Sequence, residues 1–304
     1  EIAQCLVGSE MCIRDRGSRL AEHLRDAGAE VVACGRNTCD LEDLSALKKF
    51  LLSSGATHVI NCAAVSGLEA CLDDPVTAHR VNAMAPELMA RLCRLEGMRF
   101  IHLSTDYVLD GRRPGLKTET DKCRPVNVYG ESKLEAELRV REEMPEALVA
   151  RVSWVFGNPA RPSFPEMMLR RALNGQALAA VADKWSLPAW IEDLCEWLRF
   201  LAYESDAAGI LHLCQSGEPV SWHGYALAAL ESAVKHGLLD ELPPVAEQKL
   251  DEQAGFRDAR PRHTAMSSGR LASLLGRPVR SYREAVELAV ARYAADPTFL
   301  SRIS

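Results

Sequence analysis

Tyr129 and Lys133 stand four residues apart in the run Val128-Tyr-Gly-Glu-Ser-Lys133, at the start of a segment with helical pattern. That spacing puts both side chains on one helix face, so a lysine ammonium can lie beside the phenol. A free tyrosine titrates near ~10, too high for efficient proton transfer at neutral pH. A neighbouring cation lowers that value by favouring phenolate. Upstream, Leu103-Ser-Thr-Asp-Tyr-Val-Leu-Asp-Gly111 sets the Thr105 hydroxyl at a strand end, where it can donate to a carbonyl. A hydroxyl that polarises a ketone, a phenol that delivers a proton and a lysine that tunes the phenol suit hydride reduction, because a nicotinamide cofactor supplies only the hydride. Each taken alone is ordinary. Tyr-x-x-x-Lys is common in helices, and Thr105 by itself reads as a strand-end hydroxyl or a helix cap.

Those three residues need elements to bring them together. From Gly17 the pattern is regular, with Leu20, Ala21, Leu24 and Ala27 on one helical face and Gly28 closing the helix. The strand Ala29-Glu-Val-Val-Ala-Cys-Gly35 reads as buried on both faces. Then come a helix near 41–53, a strand over 58–64, a helix near 76–95, a strand over 99–105, a helix near 131–143 and a strand over 147–152. Such alternation predicts an α/β fold, a doubly wound parallel sheet covered on both sides. Past Gly157 the rhythm loosens around Pro159, Pro162 and Pro165. Helical patterns follow near 164–173, 191–204, 221–236 and 281–294, with a strand at Gly209-Ile-Leu-His-Leu213. The expected organisation is a dinucleotide-binding domain over 1–157, to which 190–215 returns, and a smaller, mainly substrate-binding C-terminal lobe over 158–304. Ligands of open sheets bind outside the carboxyl ends of the strands. That selects Gly35-Arg36, Cys62-Ala63-Ala64, Ser104-Thr105-Asp106 and Ser153-Trp154.

The 304 residues are 47% hydrophobic and 26% charged with both signs interspersed, which describes a folded globular chain. A net charge of -6 without a basic run excludes a nucleic-acid binder and points to a small-molecule partner. The ten cysteines show no Cys-x-x-Cys pair and no zinc spacing, so no metal site is expected, and they read as free thiols in a reducing cytoplasm. No apolar stretch approaches the roughly 20 residues of a membrane helix.

Several motifs in order carry a family resemblance: Asn61-Cys-Ala-Ala64, Val81-Asn82, Ser104-Thr-Asp-Tyr-Val-Leu-Asp-Gly111, Glu119-Thr-Asp121, Pro125-Val-Asn-Val-Tyr-Gly-Glu-Ser-Lys133, Arg151-Val-Ser-Trp-Val-Phe-Gly157 and Arg260-Pro-Arg-His-Thr-Ala-Met266. From about Gly17 onward the chain resembles the extended short-chain dehydrogenase/reductases, and among them the dTDP-4-dehydrorhamnose reductase family. The resemblance implies a Rossmann-like domain with Thr105, Tyr129 and Lys133 as catalytic residues. Tyr129 would give its proton to a 4-keto oxygen, and Lys133 would also hold the nicotinamide ribose. It places Asp106, Tyr107 and Trp154 on the sugar side, Trp154 being equally readable as a core aromatic. Asp40 matches an adenine-contacting position, with a helix cap before Leu41 as its plain alternative. Ala63 and Ala64 are small enough to let backbone approach a dinucleotide, and Arg36 stands where a cation would meet a 2′-phosphate, so NADPH is expected, with NADH also used in the family. Asn82 reads as a structural polar group. Lys184, Trp185, Arg260 and His263 are second-lobe candidates.

The implied reaction is reduction of dTDP-4-dehydro-L-rhamnose to dTDP-L-rhamnose for surface polysaccharide, with a nucleotide sugar as partner and a homodimer left open. Another nucleotide-sugar reductase or epimerase is a sibling reading. The Ser-Thr-Asp-Tyr-Val run favours the rhamnose branch over the Ser-Ser-x-x-Val-Tyr-Gly type of the epimerases. A non-catalytic reading also exists, since the resemblance extends to the regulatory beta subunit of methionine adenosyltransferase.

The opening turn departs from the pattern. A glycine-rich fingerprint should cradle the pyrophosphate there, yet only Gly17 fits, as its third glycine, and Gly8 lies nine residues earlier. Glu10 to Arg16 back-translates naturally to GAG ATG TGT ATA AGA GAC AG, which is similar to a transposon-end adapter used in sequencing libraries. The expectation is that the native turn is overwritten and that cofactor affinity of this chain suffers for it.

Overall fold

Residues 2–6, 14–36, 38–158 and 162–296 are described by a computed structural model. Its first half runs β1 (Ile2–Leu6), α1 (Arg14–Asp26), β2 (Glu30–Cys34), α2 (Leu44–Ser53), β3 (His58–Asn61), α3 (Leu68–Asp73), α4 (Pro75–His79), α5 (Ala85–Glu96), β4 (Arg99–Thr105), α6 (Val128–Glu143) and β5 (Leu148–Val152). Then come β6 (Val155–Phe156), α7 (Phe164–Leu173), β7 (Leu178–Val181), β8 (Trp185–Ser186), β9 (Ala189–Trp190), α8 (Ile191–Tyr203), β10 (Gly209–Leu213), β11 (Val220–Ser221), α9 (Trp222–Lys235), β12 (Val245–Gln248), α10 (Gly269–Leu275) and α11 (Tyr282–Ala295).

The main sheet has the order β10-β5-β4-β3-β1-β2, and every pairing in it is parallel. The crossover from β1 to β2 runs one way and that from β2 to β3 the other. Right-handed crossovers therefore put α1 and α2 on opposite faces. The reversal leaves a crevice between the carboxyl ends of β1 and β3, where open sheets bind ligands. Helix α8 packs on α1, while α2, α5 and α6 pack side by side. Between the layers Val59, Phe100, Ile101, Leu148 and Val149 are fully buried, each worth about 1.5–3 kcal/mol for a large apolar side chain. Strand β10 joins this sheet from far along the sequence, pairing with β5 from Gly209 opposite Leu148.

Four expectations need correction. β2 is an edge strand, with Val31 and Val32 half-buried and Ala33 exposed, because no strand among the described residues pairs beyond it. The helix near 41–53 begins only at Leu44, capped by Asp43, whose carboxylate accepts from Ser45 N and Ala46 N at 2.9 and 3.0 Å. β3 stops at Asn61, since the Asn61 side chain takes the Ala63 N–H at 2.8 Å. The helix near 76–95 is interrupted by a π-helical turn over Arg80–Met84, a local widening often found beside functional sites. Beyond β5, α9 packs against α7 and α11, and among the described residues three two-stranded pieces, β11–β8, β12–β7 and β6–β9, lie apart from the main sheet.

Candidate functional site

Helix α6 begins in a tight corner. Asn127 caps it, accepting from Gly130 N at 2.8 Å, and its amide nitrogen donates to the Ala259 carbonyl at 2.7 Å. Gly130 must lack a side chain because a Cβ there would land on the Tyr107 carbonyl oxygen and the Pro125 ring. The close approach sets Tyr129 half-buried, its ring edge-on to Tyr107 at 5.9 Å between centroids. One turn on, Ser132 Oγ donates to the Tyr129 carbonyl at 2.8 Å and receives Asn82 Nδ2 at 2.9 Å. Asn82, carried by the π-helical turn, also pairs with both backbone groups of Val65 at 2.7 and 2.9 Å. It fastens the loop after β3 to α6.

Lys133 is 1% exposed, with Nζ 2.7 Å from the Leu103 carbonyl and 3.0 Å from His102 Nε2. His102 is fully buried, and burial together with Lys133 holds its imidazole well below the usual value, hence neutral. Beneath it, Glu137 and Arg151 form a buried ion pair at 2.9 and 2.7 Å, to which Ser104 Oγ donates at 2.6 Å. The two strands β4 and β5 are thereby locked to α6.

Thr105 ends β4 and is buried. Its oxygen accepts from Tyr107 N at 3.2 Å and its hydroxyl points to Asp106 Oδ1 at 3.3 Å, a long bond that a better acceptor can replace. Asp106 Oδ2 receives the Thr264 and Ser186 hydroxyls at 2.5 and 3.2 Å, so this carboxylate just past β4 is held by residues 158 and 80 positions further along the chain. Lys184, fully buried, sits 4.8 Å from the Tyr107 ring centre and donates to the Pro261 carbonyl at 2.7 Å. Burial lowers its ammonium to about 8. Burial also raises the Tyr107 phenol, aided by Asp106. Trp154 has φ 41, a left-handed backbone that a bulky residue adopts only under strain. Its ring stacks on Tyr225 at 5.9 Å and meets Trp222 at 5.8 Å, while its buried Nε1 has no hydrogen-bond partner among the described residues. It is thus packed on one side and carries an unused donor.

On the cofactor side, Gly17 is buried in α1. Ala63 and Ala64 are buried just past β3. Asp40 is not a helix cap: it accepts from Glu42 N at 3.1 Å and lines a 470 Å³ cleft with Glu42, Asp43, Arg80 and Met84. Arg36 is 41% exposed, with Glu42 3.7 Å away. The turn before Arg14, with most of the adapter-like segment, lies outside the described residues. Among the described residues no cluster of three or more His, Cys, Asp or Glu side chains is placed to hold a metal, and no helix is long and apolar enough to cross a membrane.

Thr105, Asp106, Tyr107, Tyr129 and Lys133 gather at one end of β4 and α6, with Trp154 joining them through Lys184, whose Nζ lies 5.9 Å from the indole. Of the second-lobe candidates, Arg260 turns to Glu69 at 2.9 Å and stacks on Phe256 at 3.5 Å, while Trp185 and His263 form a bridge between chain segments. Sequence reading missed His102, Asn61, Ser186 and Thr264. A lone histidine in the apolar strand Arg99-Phe-Ile-His-Leu was the available signal for the first.

A parallel doubly wound sheet that carries a Tyr-x-x-x-Lys helix beside a hydroxyl at its carboxyl edge is the build of the short-chain dehydrogenase/reductases. More narrowly, the chain belongs to the family described as the RmlD substrate binding domain, which matches residues 15–295. A dTDP-4-dehydrorhamnose reductase of Mycolicibacterium smegmatis is 32% identical over 276 residues, covering 90% of this chain and 82% of the relative. Among solved structures, a dTDP-4-dehydrorhamnose reductase from Yersinia enterocolitica aligns with TM-score 0.85 at 21% identity, over 96% of this chain and 99% of that one. One from Bacillus anthracis in complex with NADP aligns with TM-score 0.83 at 22% identity, over 96% and 98%.

Proposed function

We propose that this chain is an NADPH-dependent reductase of the 4-keto group of dTDP-4-dehydro-L-rhamnose, giving dTDP-L-rhamnose for rhamnose-containing polysaccharide in the cytoplasm. The observation that carries the reading is Lys133 buried behind Tyr129 on α6, next to Thr105 at the end of β4. The activity comes from the Mycolicibacterium relative, and the cofactor from the Bacillus relative. The residues present suit a dinucleotide: small Ala63 and Ala64 at the crevice, the open cleft beside Asp40 for the adenine, and Arg36 for a 2′-phosphate. When bound, the cofactor supplies the hydride.

In this reading Thr105 turns its hydroxyl from Asp106 to the substrate ketone, Tyr129 delivers the proton to the developing alkoxide, and Lys133 holds the ribose and stabilises the phenolate left behind. Asp106, Tyr107 and Trp154 face the sugar, Trp154 with its unused Nε1 donor. A 350 Å³ cleft between Leu250 and Arg260 offers room for part of the nucleotide. Residues 1–157 with 190–215 form the dinucleotide domain and 158–304 mainly the substrate lobe. Purified protein given the keto-sugar nucleotide should consume NADPH and yield the L-rhamnose product. Retained cofactor binding with no turnover at high protein concentration would instead support the regulatory class.

A further inference from the structure

Lys184, the residue before β8, brings an ammonium into a fully buried position. Its root is fixed, because Trp185 N donates to the Arg262 carbonyl at 2.6 Å and the Trp185 carbonyl accepts from Thr264 N at 2.9 Å. A buried cation is costly unless its surroundings compensate it. One of its three protons goes to the Pro261 carbonyl at 2.7 Å. Its other close partners among the described residues are ring faces, with the centres of Tyr107, Trp154 and Trp222 at 4.8, 5.9 and 6.0 Å from Nζ. These lie within reach of cation–π attraction, which strengthens when the cation is shielded from water. The Asp106 carboxylate adds favourable charge and the Arg260 guanidinium opposes it. Tyr107 and Trp154 otherwise belong to separate aromatic groups: Tyr107 meets Tyr129, whereas Trp154 meets Trp222 and Tyr225. Lys184 is the side chain that reaches both. Trp154 moreover holds a left-handed backbone at φ 41, which persists only where the surroundings fix it.

We propose that Lys184 is a specificity-determining positioning residue for the sugar: its ammonium holds the Tyr107 and Trp154 rings at a fixed spacing, and that spacing decides how tightly a 6-deoxyhexose seats against them. This rests on the reductase reading, which puts both rings on the sugar side. A 6-deoxyhexose presents a methyl group and C–H edges to ring faces, and hydroxyls to the unused Trp154 Nε1. The role touches neither the base and phosphates nor the dinucleotide, whose binding is independent of Lys184. The charge is the working part, and burial lowers the Lys184 ammonium to about 8, where an experiment can remove it. The charged groups that face it are engaged. Asp106 is held by Thr264 and Ser186, Arg260 by Glu69, and Asp183, next in the chain, by Arg262. Burial and neighbouring cations lower His263, so it stays neutral at that pH, and burial lifts the Tyr107 and Tyr225 phenols above their ordinary value. Tyr129, edge-on to Tyr107, is the remaining ionisable neighbour.

The test is binding of dTDP-L-rhamnose and, separately, of dTDP alone to protein saturated with NADP, followed by calorimetry from about pH 7 to about pH 9. Wild type is compared with Lys184→Met, which keeps the length and loses the charge, and with Lys184→Arg, which keeps the charge. At pH 7 the methionine variant should bind dTDP-L-rhamnose about tenfold more weakly, in line with loss of a shielded cation–ring contact, and bind dTDP as wild type does. The arginine variant should recover most of the loss. The sugar-bound state favours the protonated lysine, so wild-type affinity for dTDP-L-rhamnose should fall as pH rises through about 8, approaching that of the methionine variant. Arginine stays charged over this range, so its variant should show no such fall, while Tyr129 is the same in all three proteins. Unchanged binding by the methionine variant, an equal loss for dTDP, or a wild-type pH profile parallel to that of the arginine variant overturns the inference. If the methionine variant fails to fold, the pH profiles of the other two proteins decide. The expected binding pattern without reduction of the keto sugar would leave the inference standing and sink the reductase reading.

Discussion

Tyr129 sits half-buried at the first turn of α6, edge-on to Tyr107 and one turn from the buried Lys133. Replacing Tyr129 by Phe keeps the ring and its packing but removes the proton donor. Turnover should fall by roughly 10²–10⁴-fold, the usual contribution of a positioned acid, while the melting temperature stays close to wild type. Near-normal turnover would refute the role. Arg36 is exposed, with Glu42 3.7 Å away. Arg36→Ala should weaken NADPH binding by roughly tenfold, in line with loss of one charged hydrogen bond, and leave NADH binding nearly unchanged. Equal losses for both cofactors would remove Arg36 from the 2′-phosphate site. At this scale the gathering of Thr105, Tyr129 and Lys133 was legible in advance, because it follows from residue types and a four-residue spacing. His102 was not, because a histidine in an apolar strand looks like any packed aromatic until the lysine of another element arrives beside it.

The work of α6 depends on how the helix starts. Asn127 both caps it and reaches the Ala259 carbonyl, so one side chain fixes the helix end and its distance from the segment around Ala259. Asn127→Ala should cost about 0.5–2 kcal/mol in denaturant unfolding, the range of lost caps, and raise the KM for the sugar nucleotide through the loosened contact with Ala259. A stability loss with unchanged KM would confine Asn127 to capping. Alternation of helix and strand patterns located the sheet and α6 correctly to within a few residues, since buried strands and amphipathic helices have distinct periods. The break of the long helix at Arg80–Met84 escaped that reading. A π-helical turn keeps nearly the same apolar face, so its cause, the pull of Asn82 toward Val65 and Ser132, lies outside the local sequence.

Across the whole molecule two buried histidines tie stability to pH. Burial, with Arg151 adding to it, lowers His212 to about 3, and burial with Lys133 holds His102 well below 6.5. Both are bases with depressed folded-state values, so an unfolded chain binds their protons first. Their contribution is complete above about 6.5 and is lost as pH falls below it. Unfolding free energy should therefore decline from pH 7 toward pH 5, by at most about 1.4 kcal/mol per pH unit for each histidine. His212→Gln should make that decline shallower by about one proton. An unchanged slope would show that His212 titrates normally in the fold. At the same scale, contacts between distant parts of the chain meet at the site: Asp106 to Thr264, Asn127 to Ala259 and Arg260 to Glu69 span 158, 132 and 191 residues.

The sequence by itself determined the layered α/β build and the set of candidate groups Thr105, Tyr129 and Lys133, because periodicity and short spacings are local properties that each segment carries with it. Only the tertiary structure decided which strand borders which, that β10 closes the sheet next to β5, that Asp106 answers to the Ser186 and Thr264 hydroxyls, and that Lys133 has His102 beside it. Those are contacts between residues far apart in the chain, fixed by burial and hydrogen-bond geometry that no local pattern encodes.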